Sequence, residues 1–199
     1  IDATAAQTLR YFSGAGTNLL DVAVHPQTGD VWVANTEARN QVRFEPVLRG
    51  HIADHRLTRL ALNSGAVTVF DLNPGVDYGA LPNPGAQATA LSQPTALAFS
   101  PDGTVLWTAA FGSDRVAKIA TATGTVLSRL ELRSTGQTAR QMRGPRALAL
   151  QESRQRLYIL NKLANTISVV STTSEALLAE VAVGSHDPMP VAVKEGRGF

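Results

Sequence analysis

The stretch "HIADH", residues 51–55, sets two imidazoles and a carboxylate, those of His51, His55 and Asp54, within five positions. A helical turn would bring them to one side, and nitrogen and oxygen donors of this kind suit a divalent metal such as zinc. No helix signal surrounds them, and loop histidines that only hydrogen-bond are commoner, so the spacing assigns no metal. Arginines stand nearby in sequence: Arg39, Arg43 and Arg49 in one segment, Arg133, Arg140 and Arg143 in another. Converging guanidinium groups can grip a carboxylate or phosphate through paired hydrogen bonds. The competing reading is a set of solvated loop charges. The candidate residues for a ligand or partner are Arg43, Arg49, His51, Asp54, His55, Tyr78, Arg140 and Arg143. No Ser-His-Asp order, Gly-rich phosphate loop or close carboxylate pair supplies a catalytic set.

The elements that must position these residues come from a chain of 199 residues, 44% hydrophobic and 17% charged, which suits one folded domain and not a disordered segment. Eighteen basic against 16 acidic residues leave a net charge of +2, too small for a nucleic-acid or anionic-membrane surface despite a pI of 9.3. With no cysteine, disulfides, thiolate chemistry and cysteine-bound metal or haem are outside this segment, and no cofactor is expected in it. No run approaches the roughly 18 apolar residues needed to cross a bilayer, and the start "IDATAAQTLRYF" is unlike a signal peptide. Any targeting signal is expected outside this chain, which reads as a piece of a longer protein.

Self-comparison shows a repeat. A shift of 51 residues sets Pro94 on Pro145, Leu106 on Leu157, Trp107 on Tyr158 and Val116 on Ile167 without a gap; a shift of 75 sets Pro26 on Pro101 and Trp32 on Trp107. Each copy alternates apolar and polar residues with period two and is punctuated by Gly, Pro, Asp, Asn and Ser, as short antiparallel strands joined by tight turns are. Four strands fit each copy: 19–25, 30–35, 56–62 and 66–72; 95–100, 104–110, 115–120 and 125–132; 146–151, 155–161, 166–171 and 176–183. Repeated four-stranded units of roughly 40 residues describe β-propeller blades. The expected fold is an all-β, partial propeller. Residues 1–13 read as the outer strand of a preceding blade, 17–73 as a blade with an insertion at 36–55, 94–133 and 145–184 as two more, and 190–199 as the start of a fourth. Propellers close with about four to eight blades, so three full blades imply a larger ring, expected to have seven.

The stretches "VWVAN" (31–35), "VLWTAA" (105–110) with "GSDRVAKI" after it, and "LYILN" (157–161) with "ANTISVV" after it resemble the YVTN β-propeller family. Ala110 departs from that pattern where Asn35 and Asn161 keep it. "NQVRFEPVLRGH" (40–51), "AFGSDRVAKI" (110–119) and "SHDPMPVAVKEGRGF" (185–199) are similar to parts of large bacterial secreted or periplasmic propeller proteins. That resemblance implies a C-x-x-C-H haem segment downstream of Phe199, and a secreted or periplasmic location.

In a four-stranded meander the first-to-second and third-to-fourth turns share one end, and the remaining connections share the other. The first end has only tight turns. The long segments 36–55, 73–93 and 133–144 all fall at the second, which makes that face the candidate for function. Trp32, Trp107 and Tyr158 occupy one repeated position and are expected to pack between blades. Asn35, Asn161 and Asn165 read as turn formers. The sum is a noncatalytic scaffold or binding module whose partner is a protein or small molecule, together with the rest of a parent propeller and without nucleic acid or membrane insertion. The alternatives are a propeller lyase or lactonase with its site in other blades, or the propeller part of a haem-containing redox protein.

Overall fold

Period-two patterning sends alternate residues of a strand to opposite faces of the sheet, and a blade with a neighbour on each side can bury both faces. The computed structural model describes residues 4, 5, 7–44, 48, 50–134, 141–186 and 189–196. Blade 1 comprises β1 (Asn18–Val24), β2 (Val31–Ala38), β3 (Ala53–Leu60) and β4 (Val67–Asp71). Blade 2 comprises β5 (Pro94–Phe99), β6 (Val105–Ala110), β7 (Arg115–Ala120) and β8 (Val126–Glu131). Blade 3 comprises β9 (Pro145–Gln151), β10 (Arg156–Asn161), β11 (Thr166–Ser171) and β12 (Leu177–Ala182). Each is a separate antiparallel sheet whose strand order follows the chain, so the expected partial propeller is borne out.

The core lies between blades. Trp32, Leu57 and Ala34 of blade 1 meet Leu97, Leu106 and Ile119 of blade 2, and Trp107 and Val116 of blade 2 meet Leu157, Ile159 and Val170 of blade 3. Trp32 and Trp107 are buried as expected of interblade residues, whereas Tyr158, on the far side of blade 3, is half-buried.

One backbone clamp recurs in each blade, and in blades 1 and 2 a side chain at the same position extends it to the segment entering the next blade. His55, Asp114 and Asn165 hold the same blade position, and their carbonyls accept the N–H groups of Leu72, Leu132 and Val183 at 3.0, 3.1 and 3.0 Å. Asp114 takes the left-handed conformation at φ 58 and Asn165 at φ 57, a region that Asp and Asn tolerate better than most residues. The buried Asp114 carboxylate accepts the N–H groups of Arg143 (2.9 and 3.0 Å) and Gly144 (2.7 Å), tying blade 2 to the segment that enters blade 3.

Several expectations need correction. Residues 36–38 and 53–55 are not loop: they extend β2 and β3, with Glu37 paired to Asp54 and Thr36 to His55, so the insertion proper is 39–52. Asn35 and Asn161 sit inside strands and not in turns. Asn35 Nδ2 donates to Val33 O and Thr58 Oγ1, and Asn161 Nδ2 to Thr166 Oγ1 and Ser168 Oγ, which satisfies the two buried amide nitrogens, while Asn161 Oδ1 has no partner among the described residues. Of 1–13, residues 7–13 contain an isolated bridge at Gln7 and no strand. Val191–Glu195 form a short helix in place of an inner strand. A strand needs a neighbour to take its N–H groups; here Val193 and Lys194 donate back to Pro190 O instead.

Candidate functional site

At the long-loop end of blade 1, residues 50–52 and the 72–93 connection border an open cavity of about 350 Å3, lined largely by apolar side chains such as Ile52, Val76, Leu81 and Ala86. Its second wall is a loop that holds itself in shape. Asn73 is buried and spans the loop's ends, donating from Nδ2 to Leu91 O (2.8 Å) and accepting at Oδ1 from Leu91 N–H (2.7 Å). Within it Pro84–Thr89 form a helical turn, α1. Asn83 caps this turn by accepting from Ala86 N–H at 2.9 Å, with Pro84 in the first position, where its missing N–H costs nothing. The buried Arg115 of blade 2 donates to Ala90 O at 2.9 Å and pairs with Glu131 at 2.8 Å, anchoring the end of the turn.

The aromatic rim joins the two connections. The rings of His51 and Tyr78 stack with centroids 3.5 Å apart and planes 3° from parallel. Asp54 Oδ1 lies 2.7 Å from His51 Nε2, out of line for a hydrogen bond, and its other oxygen accepts from Arg39 Nε at 2.8 Å. Burial, aided by the charges of Asp71 and Asp54, pushes the Tyr78 phenol above its ordinary value, so it stays a neutral donor over the cavity.

His55 lies at the base, and its surroundings identify its role. Its Nδ1 accepts Gln93 N–H at 3.2 Å, so the neutral ring carries its proton on Nε2, 3.2 Å from Ser92 Oγ. Gln93 and Ser92 correspond to Gly144 and Arg143 under the 51-residue shift, which makes this the blade 1 form of the Asp114 clamp. Desolvation lowers the His55 pKa, with His51 adding to the fall and Asp54 and Asp71 opposing it. The unfolded chain therefore binds more protons than the folded one below the ordinary histidine value of about 6.5. Stability from this residue is full above that pH and is lost as pH falls through the lower folded value. Comparing the pH dependence of chemical unfolding for the wild type and His55→Gln should show a flatter acid limb in the variant; identical limbs would count against the burial argument.

Of the sequence-derived candidates, His51, His55 and Tyr78 line the cavity and Asp54 supports its rim. Of the described arginines named as candidates, Arg43 and Arg143, neither lines the cavity. Arg143 is buried at the blade 2–3 junction, where its guanidinium donates twice to Glu180 Oε2, at 2.9 and 2.6 Å. Arg43 lies over the exposed ring of Phe44, 4.8 Å from its centroid. Arg49 and Arg140 lie outside the described residues. "HIADH" is extended and not helical, and among the described residues no three His, Cys, Asp or Glu side chains gather as a metal site. Asn73, Arg115 and α1 were missed; the Asn83-Pro84 pair was the signal for α1.

The blades, their clamps and the loop-built cavity can be set beside known proteins. The family model described as "Lactonase, 7-bladed beta-propeller" matches residues 58–197. The chain belongs to this lactonase propeller family. No curated protein matches the chain. Among solved structures, hydrazine synthase of Kuenenia stuttgartiensis is similar at 18% identity and a TM-score of 0.57, covering 79% of this chain and 46% of its own. Streptogramin B lyase matches at 17% identity and a TM-score of 0.52, covering 86% of this chain and 41% of its own. U3-55K matches at 15% identity and a TM-score of 0.57, covering 91% and 43%. At such identities these likenesses concern the propeller fold alone. This lactonase-family chain spans less than half the length of each of the three.

Proposed function

We propose that this arc of a lactonase-family propeller binds a small, largely apolar molecule in the cavity beneath His51 and Tyr78, and performs no chemistry of its own there. The observation that carries the reading is that two connections departing from the blade repeat meet, through the His51–Tyr78 stack, to border an open apolar space. His55 and Ser92, the pair closest to a catalytic dyad, are accounted for by the interblade clamp. The family match favours a second reading, an enzyme acting on lactones. Calorimetric titration with a medium-chain lactone, run beside a pH-stat assay, separates the two. Binding without acid release, weakened about tenfold by Tyr78→Ala through loss of the stack, is the expected result. Hydrolysis by this chain that disappears in His51→Ala would overturn the noncatalytic reading; no binding would overturn both.

The arc's end faces support a place in a larger ring. Val22, Val24 and Val69 on one side and Leu160 and Val181 on the other are exposed apolar residues on faces turned away from blade 2. Four further blades of a seven-bladed ring would cover them. The narrower placement among YVTN-type propellers rests on residues 31–35, 105–119 and 157–170, that among secreted or periplasmic bacterial proteins with a haem segment elsewhere in a parent protein on 40–51, 110–119 and 185–199, and both are carried by resemblance alone.

A further inference from the structure

At the opposite, tight-turn end of the blade 1–2 junction lies a second cavity of about 290 Å3, lined by His25, Asp30, Trp32, Arg59, Asp102 and Thr121 among others. Two buried donors in its wall have no acceptor among the described residues: the indole Nε1 of Trp32, in a side chain 0% exposed, and Nε of Arg59. Arg59 forms no ion pair among the described residues either. Trp32 and Arg59 are cross-strand partners in β2 and β3, so both side chains leave the same face of the sheet, towards blade 2. His25 accepts the N–H groups of Gln27 and Thr28 at Nδ1, each at 3.2 Å, which leaves its proton on Nε2.

The next junction shows which group belongs in such a place. There Lys118 is the cross-strand partner of Trp107 and lies 5.6 Å from its ring centroid. Its ammonium donates to Glu175 Oε1 at 2.9 Å. Glu175 stands at φ 53 in the β11–β12 turn, and the 51-residue shift (175 − 51 = 124) sets it on Gly124 at φ 71. Gly124 cannot supply a carboxylate. A Cβ there would run into the ring of Phe70, which stacks on Trp32 at 5.0 Å, whereas the smaller Leu130 stands at Phe70's place one blade on. The blade 1–2 junction thus keeps the tryptophan and the cation but lacks the carboxylate that Glu175 supplies at the next, where a cavity of about 410 Å3 also borders Trp107 and Lys118.

We propose that the cavity beside Trp32 is a binding site for a small monocarboxylate, whose carboxylate bridges Arg59 and the Trp32 indole N–H in the role Glu175 plays for Lys118. A guanidinium and a neutral N–H donor together match the two oxygens of one carboxylate. The charges on the wall limit the ligand. Asp102 is held by Ser100 Oγ and by the N–H and hydroxyl of Thr104, at 2.5, 3.1 and 2.9 Å, and Asp30 also faces the cavity. Two carboxylates in the wall set it against polyanions such as phosphate.

The test is an acetate titration of the whole chain followed by 15N-resolved spectra of the two indole N–H groups. The Trp32 signal should move saturably while that of Trp107 stays, and Arg59→Met should weaken binding tenfold or more. The double variant Phe70→Leu/Gly124→Glu should supply the carboxylate from the chain, so that the Trp32 signal rests near its acetate-bound position and no longer responds. A Trp32 signal that does not saturate with acetate in the wild type overturns the site. The same movement with chloride at equal ionic strength, or in a folded Arg59→Met, overturns the carboxylate assignment.

Discussion

Asp114→Ala is expected to destabilise the chain by about 2–6 kcal/mol, because it orphans two buried backbone donors at about 1–3 kcal/mol each. Those donors, Arg143 N–H and Gly144 N–H, lie where blade 2 hands over to blade 3, and Asp114 itself is wholly buried. The left-handed backbone at φ 58 adds to the cost, since alanine tolerates it less well than aspartate. Asp114→Asn keeps that tolerance and one acceptor oxygen, so it should lose about half as much. Urea unfolding of the three proteins checks this; equal midpoints for wild type and Asp114→Ala would remove the clamp from the list of interblade constraints. Acid supplies a second readout. Burial raises the Asp114 pKa more than its two N–H partners and Arg133 lower it. Between the ordinary aspartate value and the raised one the folded state holds more protons, so this residue's contribution falls as pH rises through that window. His55, at the same blade position, has the opposite sign.

That contrast explains what could be read from the sequence and what could not. The strands were legible because each blade is a local meander whose pairing is set by short turns, and period-two patterning reports burial directly. The clamp was not, because His and Asp serve the same function at 55 and 114 and share only a side chain able to accept an N–H group. In blade 1 this disguised His55 as a site residue. The extensions of β2 and β3 were also hidden: "TEA" and "ADH" lack apolar alternation and pair chiefly with each other. As for the candidate site, His51 and Tyr78 stood among the suspected residues, but their stack joins two connections 27 positions apart (78 − 51), which no local pattern reports. Arg143 has a physical reason to stay out of the cavity. Glu180 lies within reach of Arg143, and a buried guanidinium takes the carboxylate its own chain offers.

The same repeated position predicts unequal costs for equal substitutions. Trp32→Ala should cost about 3–5 kcal/mol, as expected for a fully buried large aromatic. Its indole is stacked on Phe70 with planes 8° apart and meets Phe99 edge-on at 6.0 Å, so truncation opens the whole blade 1–2 core. Tyr158→Ala, the equivalent change in blade 3, should cost only about 1 kcal/mol in this chain. Tyr158 faces away from blade 2, is half-buried, and its hydroxyl spends its hydrogen bond on Gln151 Oε1 at 3.1 Å. Thermal or urea unfolding of the two variants measures the difference. If both cost the same, blade-to-blade burial is not what distinguishes them; if Trp32→Ala alone is severe, adding a neighbouring blade beyond β12 should make position 158 as sensitive as position 32, because the tyrosine would then be enclosed as the tryptophan is.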